Sequence, residues 1–253
     1  LVIGEIQPAR GLKHKTVRII KVLGKRGDPK AISLISLHEV GLHERFPESA
    51  LKETDGMKVP DLGKRQDLRS IPLVTIDGAD ARDFDDAVYA EPSQIPGGED
   101  GYHLIVAIAD VSYYVRSGKP LDVEGQRRGN STYFPDRVVP MLPEALSNDL
   151  CSLRPDEDRA ALAAHMWIDK QGNLVKHKFV RALIRSHARL IYEEVQAAYD
   201  GQTNDKTEGL VETIINPLYE VFEVLDKARK KRGALDLDLP ERQIMIDENG
   251  NMT

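Results

Sequence analysis

The stretch Leu73-Val-Thr-Ile-Asp-Gly-Ala-Asp-Ala-Arg-Asp-Phe-Asp-Asp-Ala-Val88 joins an apolar segment to a dense group of acids. The apolar residues up to Ile76 predict a β-strand that ends at Asp77. Two carboxylates about 4 Å apart repel each other by roughly 4 kcal/mol near a protein surface, so gathered acids must take up protons or a cation. The aspartates of this stretch are Asp77, Asp80, Asp83, Asp85 and Asp86. An acidic surface loop is the alternative, but the interleaved apolar residues favour a segment that is drawn inward.

The ligand chemistry of the stretch favours a hard cation. It offers carboxylate oxygens and no Cys or His, a set that suits Mg²⁺, with Mn²⁺ as an alternative. A calcium loop of the EF-hand type is disfavoured because Ala79 and Ala81 interrupt the required alternation of acids. Ala79 also occupies the second acid position of a strand-Asp-x-Asp phosphotransferase. A carboxylate cluster of this kind can hold metal ions that hydrolyse a phosphodiester without a covalent intermediate.

The spacing of the acids predicts an irregular backbone. In an extended strand Asp83 and Asp85 would share one face, and Asp86 would point to the other. These three side chains converge only if the segment is a loop, a turn or a bulge, and Gly78 permits the close turn required. We therefore expect a loop between two strands.

Composition restricts the class of protein. The chain has 253 residues, of which 41% are apolar and 30% charged, as in an ordinary soluble globular protein. Its longest apolar runs fall far short of the ~20 residues that span a bilayer, so we expect a cytoplasmic protein without a membrane partner. Cys151 is the single cysteine, which excludes an internal disulfide and favours a buried structural thiol over a nucleophile.

Charge is distributed unevenly along the chain. Residues 1–65 carry 13 Lys and Arg against 8 Asp and Glu, whereas the remaining residues carry 22 against 33. A basic N-terminal segment followed by an acidic body suits a polyanionic substrate that is led to a metal site. Solvated surface charge is the simpler interpretation of any individual residue.

The hydrophobic pattern predicts an α/β protein of the α+β type, with a mixed, largely antiparallel sheet flanked by helices. Its N-terminal strands resemble the end of a small β-barrel. The strands are predicted at residues 1–6, 16–23, 31–37, 73–76, 87–90, 104–109, 163–168, 174–184, 235–239 and 243–246. The helices are predicted at residues 47–53, 120–129, 188–199 and 208–231, the last with a kink at Pro217.

The acidic stretch resembles the signature of the ribonuclease II and ribonuclease R (RNB, or VacB) family of 3′-to-5′ exoribonucleases. The similarity extends over residues 66–253 and is nearer the ribonuclease R branch. Further segments that carry it are Val106-Ala-Ile-Ala-Asp-Val-Ser-Tyr-Tyr-Val115, Ser131-Thr-Tyr-Phe-Pro135, Val139-Pro-Met-Leu-Pro143, Leu146-Ser-Asn-Asp-Leu-Cys-Ser-Leu153 and Ser186-His-Ala-Arg-Leu-Ile-Tyr192.

The resemblance implies a domain organisation. Residues 1–50 correspond to the C-terminal part of a cold-shock domain, an OB-type barrel that binds single-stranded RNA. Residues 51–65 form a linker, and residues 66–253 the N-terminal part of the catalytic RNB domain. In the family this domain continues into a segment with a glutamate and an arginine-rich motif that act at the 3′ end. We therefore expect the chain to be a fragment with reduced activity.

The resemblance also implies site residues. Asp77, Asp83, Asp85 and Asp86 match the family's Mg²⁺-dependent hydrolytic centre, whereas Asp80 falls at a variable position. Tyr133 matches an aromatic residue that stacks on a nucleotide near the 3′ end. Tyr192 matches a tyrosine that lines the 3′-terminal nucleotide and contributes to the choice of RNA over DNA. A packed core tyrosine is the alternative for both.

One further aspartate is predicted to have a structural role. Asp110 resembles a family position near the site, but capping of the turn at Ser112 is the favoured role.

The function implied is Mg²⁺-dependent hydrolysis of single-stranded RNA to nucleoside 5′-monophosphates, without an organic cofactor. A catalytically deficient RNA-binding fragment, or pseudo-nuclease, is the alternative.

Overall fold

The computed structural model describes residues 1–8, 15–25, 29–79, 81 and 83–235. Its strands are β1 (Val2–Gln7), β2 (Thr16–Val22), β3 (Gln66–Asp67), β4 (Val74–Asp77), β5 (Asp86–Gln94), β6 (Asp100–Ala109), β7 (Thr132–Phe134), β8 (Arg137–Val139), β9 (Asp158–Asp169), β10 (Leu174–Arg185) and β11 (Ala188–Ile191). Its helices are α1 (Pro29–Glu39), α2 (Glu48–Thr54), α3 (Val111–Tyr114), α4 (Pro120–Arg128), α5 (Tyr192–Tyr199) and α6 (Asn216–Lys231). Two short π-helical segments, Ala145–Leu150 and Val211–Ile215, complete the described elements.

A seven-stranded sheet forms the body, in the order β11-β4-β5-β6-β9-β10-β3. The β4–β5, β5–β6, β6–β9 and β9–β10 pairs are antiparallel, whereas β11 pairs with β4 and β3 with β10 in parallel. The predicted mixed, largely antiparallel sheet is therefore confirmed. Both predicted hairpins, β5–β6 and β9–β10, are present.

Helical elements cover both faces of this sheet. On one face, buried Ile105 and Ala107 of β6 belong to a core that also contains Leu121 of α4. On the opposite face, Val74 and Leu190 pack in a cluster with residues of α5 and of the second π-helical segment. Side chains that alternate along the strands therefore pack into two cores, one on each face of the sheet. The acidic stretch lies where β4 leaves the sheet.

The N-terminal region differs in part from the prediction. Strands β1 and β2 form a separate antiparallel hairpin, as the first two predicted strands require. The third predicted strand, residues 31–37, is wrong because these residues lie in helix α1. Ala31, Leu34 and Leu37 are buried at intervals of three residues, which is a helical rather than an extended repeat. An OB-type barrel is not confirmed by this hairpin and helix.

Two predicted helices begin later than expected. Residues 188–191 form β11, because they pair in parallel with β4 and extend the sheet, and α5 starts only at Tyr192. Pro217 lies in the first turn of α6, directly after the π-helical segment Val211–Ile215, where its missing N–H is tolerated. The predicted kink at Pro217 stays a prediction. The predicted closing hairpin, residues 235–239 and 243–246, lies outside the described residues except for Leu235. No helix in the described part of the chain is long and apolar enough to cross a bilayer.

Candidate active site

The acids lie on an irregular loop between two neighbouring strands, as predicted. Asp77 ends β4 and Asp86 begins β5, so Asp83 and Asp85 belong to the connection between them. Asp80 lies outside the described residues. Phe84 is only 2% exposed, so its ring draws the loop towards the protein interior.

Backbone hydrogen bonds fix the C-terminal part of this loop. The carbonyl of Phe84 accepts a hydrogen bond from the Leu153 amide at 2.6 Å, and the carbonyl of Asp85 accepts one from the Ala109 amide at 2.8 Å. At the N-terminal end, the Gly78 amide donates to Oδ1 of Asp77 at 2.9 Å. The loop is therefore held at its two ends by strands and by the segment around Leu153.

The carboxylates influence each other's protonation. Surrounding protein atoms raise the pKa of Asp85, although its side chain is exposed, and the charges of Asp83 and Asp77 raise it further. Partial burial likewise raises the pKa of Asp86, with added contributions from Asp85 and Asp77. These mutual effects connect all four described acids of the loop. A bound cation would relieve the repulsion that raises both pKa values.

Two exposed tyrosines flank the acidic loop. The side chain of Tyr133 on β7 is 67% exposed and that of Tyr192 at the start of α5 is 59% exposed, so the core-packing alternative is wrong for both. Partial burial and then the charges of Asp83, Asp85 and Asp77 raise the pKa of Tyr133. The pKa of Tyr192 is raised by partial burial and then by Asp77 and Asp86. The fold thus brings both predicted tyrosines to the predicted aspartates.

The register of the sheet explains the position of Tyr192. Strand β11 runs parallel to β4, and Ile191 is the partner of Asp77 in this ladder. Tyr192 therefore follows the residue opposite Asp77, at the same edge of the sheet. A cavity of about 590 Å³ adjoins it, with Gln196 and Tyr219 among its lining residues.

The loop offers donor atoms that suit a hard cation, but it does not arrange them as an ion-binding site. Carboxylate oxygens are the ligands that Mg²⁺ and Mn²⁺ prefer. Among the described residues, however, no three Asp, Glu, His or Cys side chains are grouped closely enough to hold an ion. The described part of the loop therefore offers carboxylate oxygens but no preassembled metal cage, and Asp80 is not among the residues compared.

Asp110 has a structural environment. Its buried carboxylate accepts hydrogen bonds from the Ser112 hydroxyl at 2.9 Å and from Arg181 at 2.5 Å, and it forms an ion pair with Arg65 at 2.9 Å. Asp110 is the N-cap residue of α3, as the prediction of a cap at this turn requires, but its carboxylate accepts from the Ser112 hydroxyl and not from a helix amide. The two arginines were not foreseen.

Cys151 is a buried thiol, as predicted. Burial and then the charges of Asp85 and Asp110 raise its pKa to about 12. The thiol is therefore protonated at neutral pH, which is unsuitable for a nucleophile.

One contact of the acidic loop was not predicted from the sequence. Arg189 of β11 places its guanidinium 3.7 Å from the ring centre of Phe84, and its Nη2 donates to the carbonyl of Ala81 at 2.9 Å. Arg189 is part of the segment that carries the family resemblance, but nothing in the local pattern pairs it with a residue so distant in sequence. Only the parallel pairing of β11 with β4 reveals the contact.

Comparison with known proteins identifies the family. The RNB domain model matches residues 65–253, so the chain belongs to the RNB-domain family. Among its curated relatives, ribonuclease R of Vibrio parahaemolyticus is 42% identical over 245 residues, which are 94% of this chain and 28% of that protein. Ribonuclease R of Escherichia coli is 43% identical over 238 residues, with 91% of this chain and 28% of that protein covered. The chain thus spans somewhat more than a quarter of these relatives.

Solved structures agree with this assignment. Mycoplasma genitalium ribonuclease R in complex with ribose-methylated single-stranded RNA superposes with a TM-score of 0.85 at 29% identity, covering 94% of this chain and 37% of that one. Yeast Ssd1, described as a pseudonuclease, superposes with a TM-score of 0.62 at 16% identity and covers 86% of this chain and 27% of its own. The latter likeness shows the fold alone.

Proposed function

We propose that this chain is part of an exoribonuclease that removes nucleoside 5′-monophosphates from the 3′ end of single-stranded RNA. The observation that carries the proposal is the placement of two exposed tyrosines, Tyr133 and Tyr192, around the carboxylates of one loop in an RNB-domain chain. An acid cluster alone would repel a phosphodiester. Together with a cation and stacking surfaces, it suits a single nucleic acid strand.

The aspartates would hold the cation and define the cleavage position. Mg²⁺, or Mn²⁺ in its place, supplies an activated water and offsets charge on the scissile phosphate when it is bound by carboxylates. Asp77 and Asp86 lie at the ends of strands, and this position limits their movement. Asp83 and Asp85 lie on the loop between these strands, and rotation of their side chains would complete the ligand set. Partial burial and then the neighbouring carboxylates raise the pKa of Asp85 and of Asp86, and a bound cation would oppose the contribution of those carboxylates.

The tyrosines would bind and orient the RNA. Stacking of an aromatic side chain on a nucleobase contributes about 1–3 kcal/mol, and it requires that the base be unpaired. Tyr133 and Tyr192 are exposed enough to offer a ring face. The Mycoplasma genitalium relatives were solved with single-stranded and with double-stranded RNA, which supports RNA as the ligand class. A cytoplasmic location and independence of any organic cofactor stay predictions from the sequence.

The test is the shortening of a 5′-labelled single-stranded RNA in the presence of Mg²⁺. We expect a ladder of products that shorten from the 3′ end. Asp85→Asn should reduce the rate by at least about 100-fold, as expected when one preorganised charge-stabilising group is removed. Asp100→Asn is the matched control, because Asp100 is an exposed acid that contacts Lys170 and not the loop. Unchanged activity of Asp85→Asn would contradict the site assignment.

The second candidate is a catalytically deficient RNA-binding fragment. It is favoured by the finding that no three described Asp, Glu, His or Cys side chains are arranged to hold an ion. This candidate predicts salt-sensitive RNA binding without release of mononucleotides, even at high concentrations of Mg²⁺ or Mn²⁺. The likeness to Ssd1 does not separate the two candidates, since both share the fold.

A further inference from the structure

The acidic loop between β4 and β5 is supported by a side chain from another strand. Its ends are held by backbone contacts, but Ala81 lies between them, and the Ala81 amide donates only locally, to the Gly78 carbonyl at 3.1 Å. The Ala81 carbonyl is the point at which Arg189 reaches the loop, with Nη2 2.9 Å away. Arg189 thereby ties the middle of the loop to the sheet.

A second contact places the same guanidinium over an aromatic ring of the loop. The Arg189 guanidinium lies 3.7 Å from the centre of the Phe84 ring, and Phe84 is 2% exposed. A cation over an aromatic face is attracted by the negative charge of that face. One planar group therefore stacks on one loop residue and donates to another. A lysine ammonium could offer the charge and hydrogen-bond donors, but it has no planar group to stack on the ring.

The Arg189 guanidinium contacts the loop without binding its acids. Within the described residues, Arg189 forms no ion pair with a carboxylate, and its hydrogen bond goes to a backbone carbonyl. The carboxylate oxygens of the aspartates therefore stay free for a cation. A direct ion pair would instead compete with that cation for the same oxygens.

We propose that Arg189 is a positioning residue that holds the acidic loop in the conformation from which Asp83 and Asp85 bind a cation. This inference rests on the proposed function for its metal, and on the observed contacts for the loop itself. Arg189 does not touch substrate or metal. Its effect passes through Ala81 and Phe84.

Three variants of the 253-residue chain test the proposal. Arg189→Met removes both the positive charge and the planar guanidinium, whereas Arg189→Lys keeps the positive charge and removes the planar guanidinium. Arg185→Met is the matched control, because Arg185 is an exposed arginine shortly before β11 in the chain and pairs with Asp158 at 2.7 Å. Thermal melts establish first that each variant is folded. If Arg189→Met does not fold, Arg189→Lys tests the proposal by itself.

The first measurement is hydrogen exchange without metal or RNA. The amides of Leu153 and Ala109 donate to the carbonyls of Phe84 and Asp85, so they report directly on the loop. Both Arg189 variants should exchange faster at these amides than the wild type, and Arg185→Met should not. Unchanged exchange in Arg189→Met overturns the proposal. If these amides exchange in Arg189→Lys at the wild-type rate, the proposal is also overturned, because a positive charge without a planar guanidinium would then be enough to hold the loop.

The second measurement is the titration of each protein with Mn²⁺ by calorimetry. We expect both Arg189 variants to bind Mn²⁺ about 10- to 100-fold more weakly, the usual effect of removing a group that supports metal ligands. In RNA assays kcat should fall more than the KM for RNA changes. Equal metal affinity in all four proteins contradicts the proposal. If the wild type binds no Mn²⁺ or leaves RNA intact, the proposed function fails, and hydrogen exchange still decides the role of Arg189.

Discussion

The Asp110 carboxylate shows how much a single buried charge can contribute to this fold. The side chains of Arg65 and Asp110 are 9% and 2% exposed, and their ion pair joins the segment before β3 to the end of β6. Arg181 of β10 reaches the same carboxylate. Since Arg65 also donates to the carbonyl of Ala182, three separate parts of the chain meet at this acid.

Asp110→Asn should lower the free energy of unfolding by about 3–5 kcal/mol, because it leaves the buried guanidinium of Arg65 without its counter-charge. Urea denaturation at pH 7 measures the difference. Asp100→Asn is the control, since the contact of Asp100 with Lys170 is solvent-exposed and contributes little. Equal midpoints for the wild type and Asp110→Asn would show that the buried pair does not stabilise the fold.

The same residue predicts a pH dependence of stability. Burial alone would raise the pKa of Asp110, but the Ser112 hydrogen bond and the two arginines outweigh it and lower the pKa below its ordinary 3.8. A carboxyl whose pKa is lowered by folding adds stability above its unfolded pKa and loses it as the pH falls through the folded value. The stability gap between the wild type and Asp110→Asn should therefore narrow below pH 3.8. A gap that stays constant in acid would contradict this sign.

At the scale of elements, the β9–β10 turn illustrates how a close approach restricts sequence. Gly172 in this turn has φ = +81°, and an added Cβ would lie 2.7 Å from the carbonyl oxygen of Val224 and 2.6 Å from the Cβ of Ala228, both in α6. Only a residue without a Cβ allows the turn and the helix to be this close. The sequence predicted the hairpin, but not the helix that packs on its turn.

Gly172→Ala should therefore destabilise the protein more than Gly98→Ala. Gly98 in the β5–β6 turn has a similar φ of +85° but open space around its Cβ position. Gly98→Ala should cost about 1–2 kcal/mol from backbone strain, and Gly172→Ala about 1–3 kcal/mol more from overpacking. Thermal and urea denaturation of the two variants give this difference directly. Equal losses would show that α6 can move away from the turn.

At the scale of the whole molecule, a basic N-terminal region precedes an acidic body. This charge distribution should determine how the affinity for RNA depends on salt concentration. Lys15 and Lys25 lie on either side of β2 in the chain, are exposed and have no ion pair among the described residues. If RNA passes along this region, its affinity should fall with salt as counterions compete. The double variant Lys15→Ala, Lys25→Ala should reduce the log–log salt slope by roughly 0.7 for each RNA phosphate that the protein no longer neutralises.

Fluorescence anisotropy with a labelled single-stranded RNA at several salt concentrations measures this slope. Lys227→Ala is the control, because Lys227 already pairs with Glu223 on α6. Lys227→Ala should keep the wild-type salt slope. If the double variant keeps it as well, the charge distribution does not guide RNA.

The sequence by itself determined the acidic character of the loop and much of the sheet. Acid spacing predicted an irregular loop, and alternation predicted most strands, because both depend on residues adjacent in the chain. The same local reasoning was wrong for residues 31–37, whose apolar pattern also fits a helix. It was wrong as well for residues 188–191, which become β11 only because β4 offers a partner.

Tertiary structure alone shows how distant residues meet at the acidic loop. Arg189 contacts Ala81 across 108 positions of sequence, and Tyr192 comes beside Asp77 through the parallel β11–β4 ladder. Local patterns record whether a segment is extended or helical and which side of it is apolar. They do not record strand order or register, because these depend on the packing of the whole sheet between its two helical layers.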